Sequence, residues 1–195
     1  MINKEKNNLL NIFSNFRLEN SLKNILIFFP LIFSQRNLNL EQITPLFLGF
    51  IFFTFMTSIC YMTNDFSDRH IDKLNKLKTR KTEINKQTVV LSNIFLFSVI
   101  LILFFKSFLI NQFIFFYLIL FFSYNFFFKY IRFLDILFLA SFYVIRLLYG
   151  AELIDIESSK IFLIFFTSIF LILALFKRMI QISNNNLTTK NKIIK

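Results

Sequence analysis

Long uninterrupted apolar blocks constrain the fold of this chain more than any other feature of its sequence. Residues 45–62 and 89–105 contain no charged side chain, and each block is nearly as long as the roughly 20 apolar residues of a membrane-spanning helix. Apolar residues make up 56% of the 195-residue chain, which is above the roughly 45–50% of a soluble domain. The pattern predicts an all-α fold, a polytopic bundle of transmembrane helices.

Six apolar segments predict six spans, at residues 22–34, 45–62, 89–105, 108–128, 133–150 and 161–176. The first segment contains Pro30, and its apolar part hardly covers the roughly 30 Å of a hydrocarbon core, so we expect it to bend or to extend into flanking polar residues. The chain is then one transmembrane domain. Its predicted parts are an N-terminal segment at 1–21, spans 1 and 2 at 22–62, a loop at 63–88, spans 3–6 at 89–176 and a tail at 177–195.

The 22 Lys and Arg residues lie almost entirely on one side of these spans. They concentrate near the N-terminus, in loop 63–88, after the fourth span and in the tail, whereas the loop after the fifth span carries Glu152, Asp155 and Glu157. Because cytoplasmic loops are rich in Lys and Arg, we expect an inner or plasma membrane protein with both termini in the cytoplasm. This topology accounts for the net charge of +11, so nucleic-acid binding is not needed to explain it.

The loop at 63–88 begins with an acidic motif, NDFSDRHID, directly behind the second span. On a helix, Asp65, Asp68 and Asp72 fall within about 60° of one another and form one acidic stripe at the membrane surface. One interpretation is a solvated positive-inside loop. The other is a diphosphate site, because clustered carboxylates need a cation and Mg²⁺ binds one or two carboxylates together with substrate phosphates. The basic residues that follow suit the same phosphates; these are Lys78, Arg80 and Lys81.

The fifth span carries two charged residues, Asp135 and Arg146, eleven positions apart. That spacing returns them to nearly the same helix face, but about 16 Å of rise keeps them from pairing with each other. A charge inside a span faces the bundle interior with a partner or a cavity. For Asp135, a pocket-lining role and a salt bridge to another helix stay equally open, whereas for Arg146 a structural or pocket-floor role is favoured. Tyr124 is either a phenol that lines the pocket or an interfacial aromatic.

The motif Asn64-Asp65-x-x-Asp68-x-x-x-Asp72 resembles the first aspartate-rich motif of the UbiA-type intramembrane prenyltransferases. The resemblance implies a bundle of about nine helices, in which this motif ends the second transmembrane helix and holds Mg²⁺ against a substrate diphosphate. It therefore implies that Asp65, Asp68 and Asp72 are metal ligands. It also implies that Asp65 and Asp68 are the catalytic pair.

Other parts of the chain are most similar to the decaprenyl-phosphate phosphoribosyltransferase branch of that superfamily. The stretch RLENSLKNILIFFPLIFS at 17–34 resembles the start of that branch, and KRMIQ at 177–181 matches the Lys-Arg pair that closes its sixth helix. Between them, YNFFFKYIRFLD and the rest of the fifth span keep the branch's polar positions, whereas its His-Pro and Arg-Pro elements after the aspartates are absent. The matches imply substrate-binding roles for Lys23, Asn24, Asn64, Lys78, Arg80, Lys81, Tyr124, Lys129, Asp135, Arg146, Lys177 and Arg178.

The activity that the resemblance implies is Mg²⁺-dependent transfer of a phosphoribosyl group from phosphoribosyl diphosphate to a polyprenyl phosphate in the membrane. Prenyl transfer from a polyprenyl diphosphate to a quinone- or haem-type aromatic acceptor stays open, because both donors present the same diphosphate. The chain matches about six of the family's nine helices, so we expect a chain truncated after the sixth helix. A second copy or a complementing polypeptide would then complete the pocket, and an inactive paralogue or a membrane interaction subunit is the further alternative.

Overall fold

A computed structural model describes residues 18–34, 40–74, 85–104, 112–129 and 131–193. Side chains are described within 22–34, 40–69, 85–101, 112–129 and 131–180, apart from Gln42 and Arg132. Several residues of the predicted diphosphate site therefore lie outside the described side chains. These are Asp72, Lys78, Arg80 and Lys81.

Within the described residues the chain forms helices alone. A 3-10 helix, Leu18–Phe28, continues into the short helix α1, Phe29–Phe33. Then follow α2 (Leu40–Leu74), α3 (Lys86–Phe104), α4 (Gln112–Ser123), a π-helical turn (Tyr124–Phe128), α5 (Arg132–Leu153) and α6 (Lys160–Ile193). The described part of each predicted span falls on one of these units, whereas residues 105 and 108–111 of the third and fourth spans lie outside the described residues. The helical structure confirms the all-α fold class.

The 3-10 helix explains how the short first segment gains length. At about 2.0 Å per residue its 11 residues rise roughly 22 Å, and α1 adds about 7 Å, which together approach the roughly 30 Å of a bilayer core. Three residues per turn also align every third side chain, and the buried residues of this segment follow that period, at Asn24, Ile27 and Pro30. Pro30 lies in the first turn of α1, a position at which proline is tolerated, so it does not break the segment.

Helix α2 is the longest helix and carries the acidic motif out of the apolar region. Its 35 residues correspond to about 52 Å, well beyond the thickness of a hydrocarbon core. The helix continues through Asp65 and Asp68 to Leu74, so the first half of the predicted loop 63–88 is helical. Hydroxyl groups within the helix bond to its own carbonyls, as in Ser58 Oγ to Thr54 O at 2.8 Å, which satisfies them without water.

Helix α5 is the centre of the bundle. It packs against α2, α4, α6 and the N-terminal 3-10 helix with α1. At Gly150 the backbone of α5 lies close to the first span, since a Cβ there would run into the backbone carbonyl of Ile27. The lack of a side chain at Gly150 therefore sets how near the first span lies to the central helix.

Three described helices are long and apolar enough to cross a membrane, namely Ile43–Arg69, Phe133–Leu153 and Lys160–Ile180. Three shorter apolar helices accompany them, at Leu22–Phe33, Lys86–Leu101 and Gln112–Phe128. Much of their outer surface is large and apolar, with Ile161, Ile164 and Phe165 among the exposed side chains of α6. Such a surface is suited to lipid rather than to water.

We expect Gly150→Ala to lower the free energy of unfolding by about 1–3 kcal/mol, because the added methyl group must push the first span away from α5. Thermal unfolding of the purified protein in detergent measures the change. Gly49→Ala is the matched control. Its Cβ would meet the end of the flexible Leu153 side chain rather than backbone, so its loss should be smaller. An equal loss in both variants would contradict the proposed role of Gly150.

Candidate functional site

The acidic motif forms one end of a charged cluster at the end of α2. We call this end, with Asn64, Asp65, Asp68 and Lys129, the acidic pole. Asp65 and Asp68 are 4% and 8% exposed, so the two carboxylates share the inward face, as their spacing predicts. The Nζ atom of Lys129 forms a salt bridge with Asp68 Oδ2 and donates to Asn64 Oδ1 at 2.9 Å. Asn64 Nδ2 in turn donates to Asp68 Oδ2 at 3.3 Å. A lysine ammonium therefore occupies the space between two oxygen-bearing side chains of the motif.

The π-helical turn places two residues of the fourth span on the side that contacts the charged cluster. The backbone N–H of Lys129 donates to Tyr124 O at 3.0 Å, a bond between residues five apart. In an α-helix such residues lie about 140° apart, whereas the wider turn returns them to nearly one face. Tyr124 and Lys129 consequently both point toward the charged cluster.

Asp135 connects the acidic pole with the sixth span. The Tyr124 hydroxyl donates to Asp135 Oδ1 at 2.8 Å, and Arg178 Nη2 lies 3.0 Å from Asp135 Oδ2. Asp135 is 2% exposed, and a carboxylate buried this deeply needs both a cation and hydrogen bonds. The salt bridge to another helix, one of the two roles left open from the sequence, is present, and it lies within the same cluster as the aspartate motif.

Three basic residues from the first and sixth spans form the opposite pole. Lys177 interacts electrostatically with Lys23, Arg178 and Asp135. The Lys23 ammonium lies over the ring of Tyr61, 5.5 Å from its centroid, within the distance of a cation–π interaction. Lys23 is distant in sequence from the adjacent pair Lys177 and Arg178, and helix packing brings it to them. We call these three residues the basic pole.

Arg146 lies in the bundle interior beside the basic pole and is 1% exposed. Its Nε donates to Asn24 Oδ1 at 2.8 Å, and its Nη1 donates to the carbonyl of Phe142. Its Nη2 lies 3.4 Å from the hydroxyl groups of both Tyr61 and Tyr117. No carboxylate among the described side chains pairs with it, so neutral oxygens and aromatic rings solvate this guanidinium.

Asn24 extends the Arg146 network across the bundle. Its Nδ2 donates to Thr54 Oγ1 at 3.1 Å and to Thr57 Oγ1 at 3.0 Å. The side chain is fully buried, and these bonds satisfy both its carbonyl and its amide. Asn24 thereby joins the first span to α2 and, through Arg146, to α5.

The donor set at the acidic pole fits a magnesium ion. Asp65 and Asp68 supply two buried carboxylates and Asn64 supplies an amide oxygen, which are the hard ligands that Mg²⁺ prefers. The Lys129 ammonium shows that this position accepts a cation. No group of three or more carboxylate, His or Cys side chains occurs among the described residues, but Mg²⁺ takes only one or two carboxylates when phosphates complete its shell.

The structure brings together all predicted site residues whose side chains it describes. The residues that sequence reasoning missed are Thr54, Thr57 and Tyr61 on α2, with Tyr117 and Tyr143 around Arg146. A signal for the first three was available. Thr54, Thr57, Tyr61, Asp65 and Asp68 recur at spacings of three and four, so the acidic stripe continues as a polar stripe into the apolar span.

Comparison with known proteins gives one family. A model of the UbiA prenyltransferase family matches residues 26–183, a range that contains the acidic pole, the π-helical turn, Asp135, Arg146 and Arg178. No curated protein matches the chain.

We expect Arg146→Lys to lower the free energy of unfolding by about 2 kcal/mol, because an ammonium cannot reach the acceptors that the planar guanidinium bonds on several sides. Unfolding of the purified variant in detergent measures this loss. Arg178→Lys is the control, since Arg178 is 31% exposed and a lysine can still pair with Asp135. An equal loss of unfolding free energy in both variants would contradict a particular contribution of the buried Arg146 guanidinium to stability.

Proposed function

The chain belongs to the UbiA prenyltransferase family, and from that premise we propose that it transfers a phosphoribosyl group from phosphoribosyl diphosphate to a polyprenyl phosphate. Family membership makes it an integral membrane protein of the prenyltransferase type. The phosphoribosyl specificity rests on one observation, the presence of basic side chains at both ends of the charged cluster. Lys129 lies at the acidic pole, whereas Lys23, Lys177 and Arg178 form the basic pole beyond Asp135.

Two cationic groups suit a reaction with two kinds of phosphate. A prenyl diphosphate presents a single anionic group, and the acidic pole with its metal and Lys129 suffices to bind it. Phosphoribosyl diphosphate carries a 5-phosphate besides its diphosphate, and its acceptor carries another phosphate. We assign the 5-phosphate to the basic pole, where the Lys23 and Lys177 ammonium groups are suited to bind it by charge-assisted hydrogen bonds.

The residues of the acidic pole would act on the leaving group. Asp65 and Asp68 would hold the magnesium ion, with Asp72 as the third ligand expected from the sequence. With Mg²⁺ at these carboxylates, the charge that develops on the departing diphosphate is neutralised. The bond between the anomeric carbon and the diphosphate breaks, and an oxygen of the lipid phosphate forms the new bond to that carbon. The Arg146 network would keep Lys23 and Tyr61 in place beside the donor.

Prenyl transfer to an aromatic acceptor is the second candidate, and the name of the matching family favours it. The two activities differ in what becomes labelled. The charge pattern predicts that both termini lie in the cytoplasm. Membranes that contain the protein are incubated with Mg²⁺, labelled phosphoribosyl diphosphate and polyprenyl phosphate. A parallel sample receives Mg²⁺, a labelled prenyl diphosphate and an aromatic acceptor. We expect label in polyprenyl phosphate. Label only in the aromatic acceptor would replace the proposal by the second candidate.

The aspartate at the centre of the acidic pole provides the test of metal-dependent chemistry. We expect Asp68→Asn to lower the rate of phosphoribosyl transfer at least about a hundredfold. An amide would hold the magnesium ion less tightly, so the charge on the departing diphosphate would be less well neutralised. Glu157→Gln, a matched loss of one exposed carboxylate, should keep the activity. If no reaction gives label in the unaltered protein, the chain is an inactive paralogue or an interaction subunit, or it acts only with a second copy or another polypeptide.

The basic pole provides the test of donor specificity. We expect Lys177→Met to raise the KM for phosphoribosyl diphosphate about tenfold, since one charged hydrogen bond to the 5-phosphate is lost. Inhibition by inorganic pyrophosphate, which has no 5-phosphate, should not change. Lys160→Met, at the opposite end of α6, is the control. If only the KM for polyprenyl phosphate rises, the basic pole binds the phosphate of the acceptor and not the 5-phosphate of the donor.

A further inference from the structure

The Lys129 ammonium lies between two oxygen-bearing side chains of the donor set proposed for the metal. It bonds to two oxygens of α2, Asn64 Oδ1 at 2.9 Å and Asp68 Oδ2 through a salt bridge. Asp68 is 8% exposed, so little water competes for its carboxylate. Tyr124 also interacts electrostatically with Asp68, but its hydroxyl donates to Asp135. Among the described side chains, Lys129 is therefore the counter-cation of Asp68.

A second cation at Asp68 meets this lysine as a competitor. One ammonium already neutralises the carboxylate, and a divalent ion placed beside it is repelled by a unit positive charge at close range. The lysine can leave, because it has a flexible four-carbon stem and its side chain is 16% exposed. It leaves without cost only if a new anion takes the place of Asp68. A diphosphate that arrives with the metal is such an anion.

We propose that Lys129 is an internal competitor of the metal, which makes metal binding depend on the diphosphate. In the ligand-free protein Lys129 holds Asn64 and Asp68 and keeps the affinity for free metal low. The metal enters together with the diphosphate, and Lys129 turns from Asp68 to the new anion. The inference rests on the proposed diphosphate site and adds an order of binding, in which the metal–diphosphate complex is the true ligand.

Metal binding can be measured without any turnover. The purified protein in lipid nanodiscs is titrated with Mn²⁺. The loss of the electron paramagnetic resonance signal of the free ion, beyond the loss in empty nanodiscs at the same pyrophosphate concentration, reports binding. We expect the unaltered protein to bind Mn²⁺ alone weakly and to bind it much more tightly with inorganic pyrophosphate. Lys129→Gln should bind Mn²⁺ alone about tenfold more tightly than the unaltered protein, because the competing charge is gone, and should gain less from pyrophosphate.

Three controls keep the experiment specific. Lys129→Met also removes the charge but cannot accept or donate a hydrogen bond, so a similar gain in both variants assigns the effect to charge. Lys160→Met changes the net charge equally at an exposed position of α6 and should leave Mn²⁺ binding unchanged. Asp68→Asn should abolish the gain when combined with Lys129→Gln, since it removes the shared ligand.

The outcomes separate the inference from the proposed function. If Mn²⁺ binds with pyrophosphate but the neutral variants bind Mn²⁺ alone no more tightly than the unaltered protein, the competitor role is overturned and the diphosphate site stands. If neither the protein nor its variants bind Mn²⁺ with or without pyrophosphate, the diphosphate site itself is overturned. Equal affinity of the unaltered protein for Mn²⁺ with and without pyrophosphate overturns the inference without any variant, so it stays testable even if position 129 is needed for folding.

Discussion

The interior of this bundle depends on the burial of one guanidinium. Removing a cation from water without a carboxylate partner is costly, and hydrogen bonds to the charged group offset that cost. Arg146 meets this demand with groups from the first span, α2, α4 and α5 itself, namely Asn24, Tyr61, Tyr117 and the carbonyl of Phe142. Four parts of the chain must therefore keep their relative positions for the charge to be tolerated. The same positions set the wall of the site, because Tyr61 also faces Lys23.

The site separates positive and negative charge along one line of contacts. Lys129 neutralises Asp68 at one end, and Arg178 neutralises Asp135 farther along. Lys177 interacts electrostatically with Lys23 as well as with Asp135 and Arg178, so basic side chains from two spans meet at the basic pole. This distribution of charge over several residues, rather than any single residue, is the basis of the proposed site for two phosphate groups.

The helical bundle and half of the site follow from local sequence patterns. Apolar length predicts the six spans, and residue spacing predicts both the shared face of Asp65 and Asp68 and the burial of Asp135 and Arg146. The partners of these charges were not predictable, because Arg178 meets Asp135 through tertiary packing that no local period encodes. The π-helical turn was not predictable either, since YNFFFK has the pattern of an ordinary apolar helix. The contacts that accompany the wider turn, from Tyr124 to Asp135 and from Lys129 to Asp68, are tertiary.

The 3-10 winding of Leu18–Phe28 relates the positions of Lys23 and Asn24 to the thickness of the surrounding bilayer. If these 11 residues changed to α-helical geometry, the segment would shorten by about 5 Å. Lys23 and Asn24 would then move along the helix axis, away from Tyr61 and Arg146, and the period-three row of buried residues would be lost. A thin membrane favours the shorter form and a thick membrane the longer one. A change in bilayer thickness that altered the winding of the first span would therefore displace Lys23 relative to Tyr61.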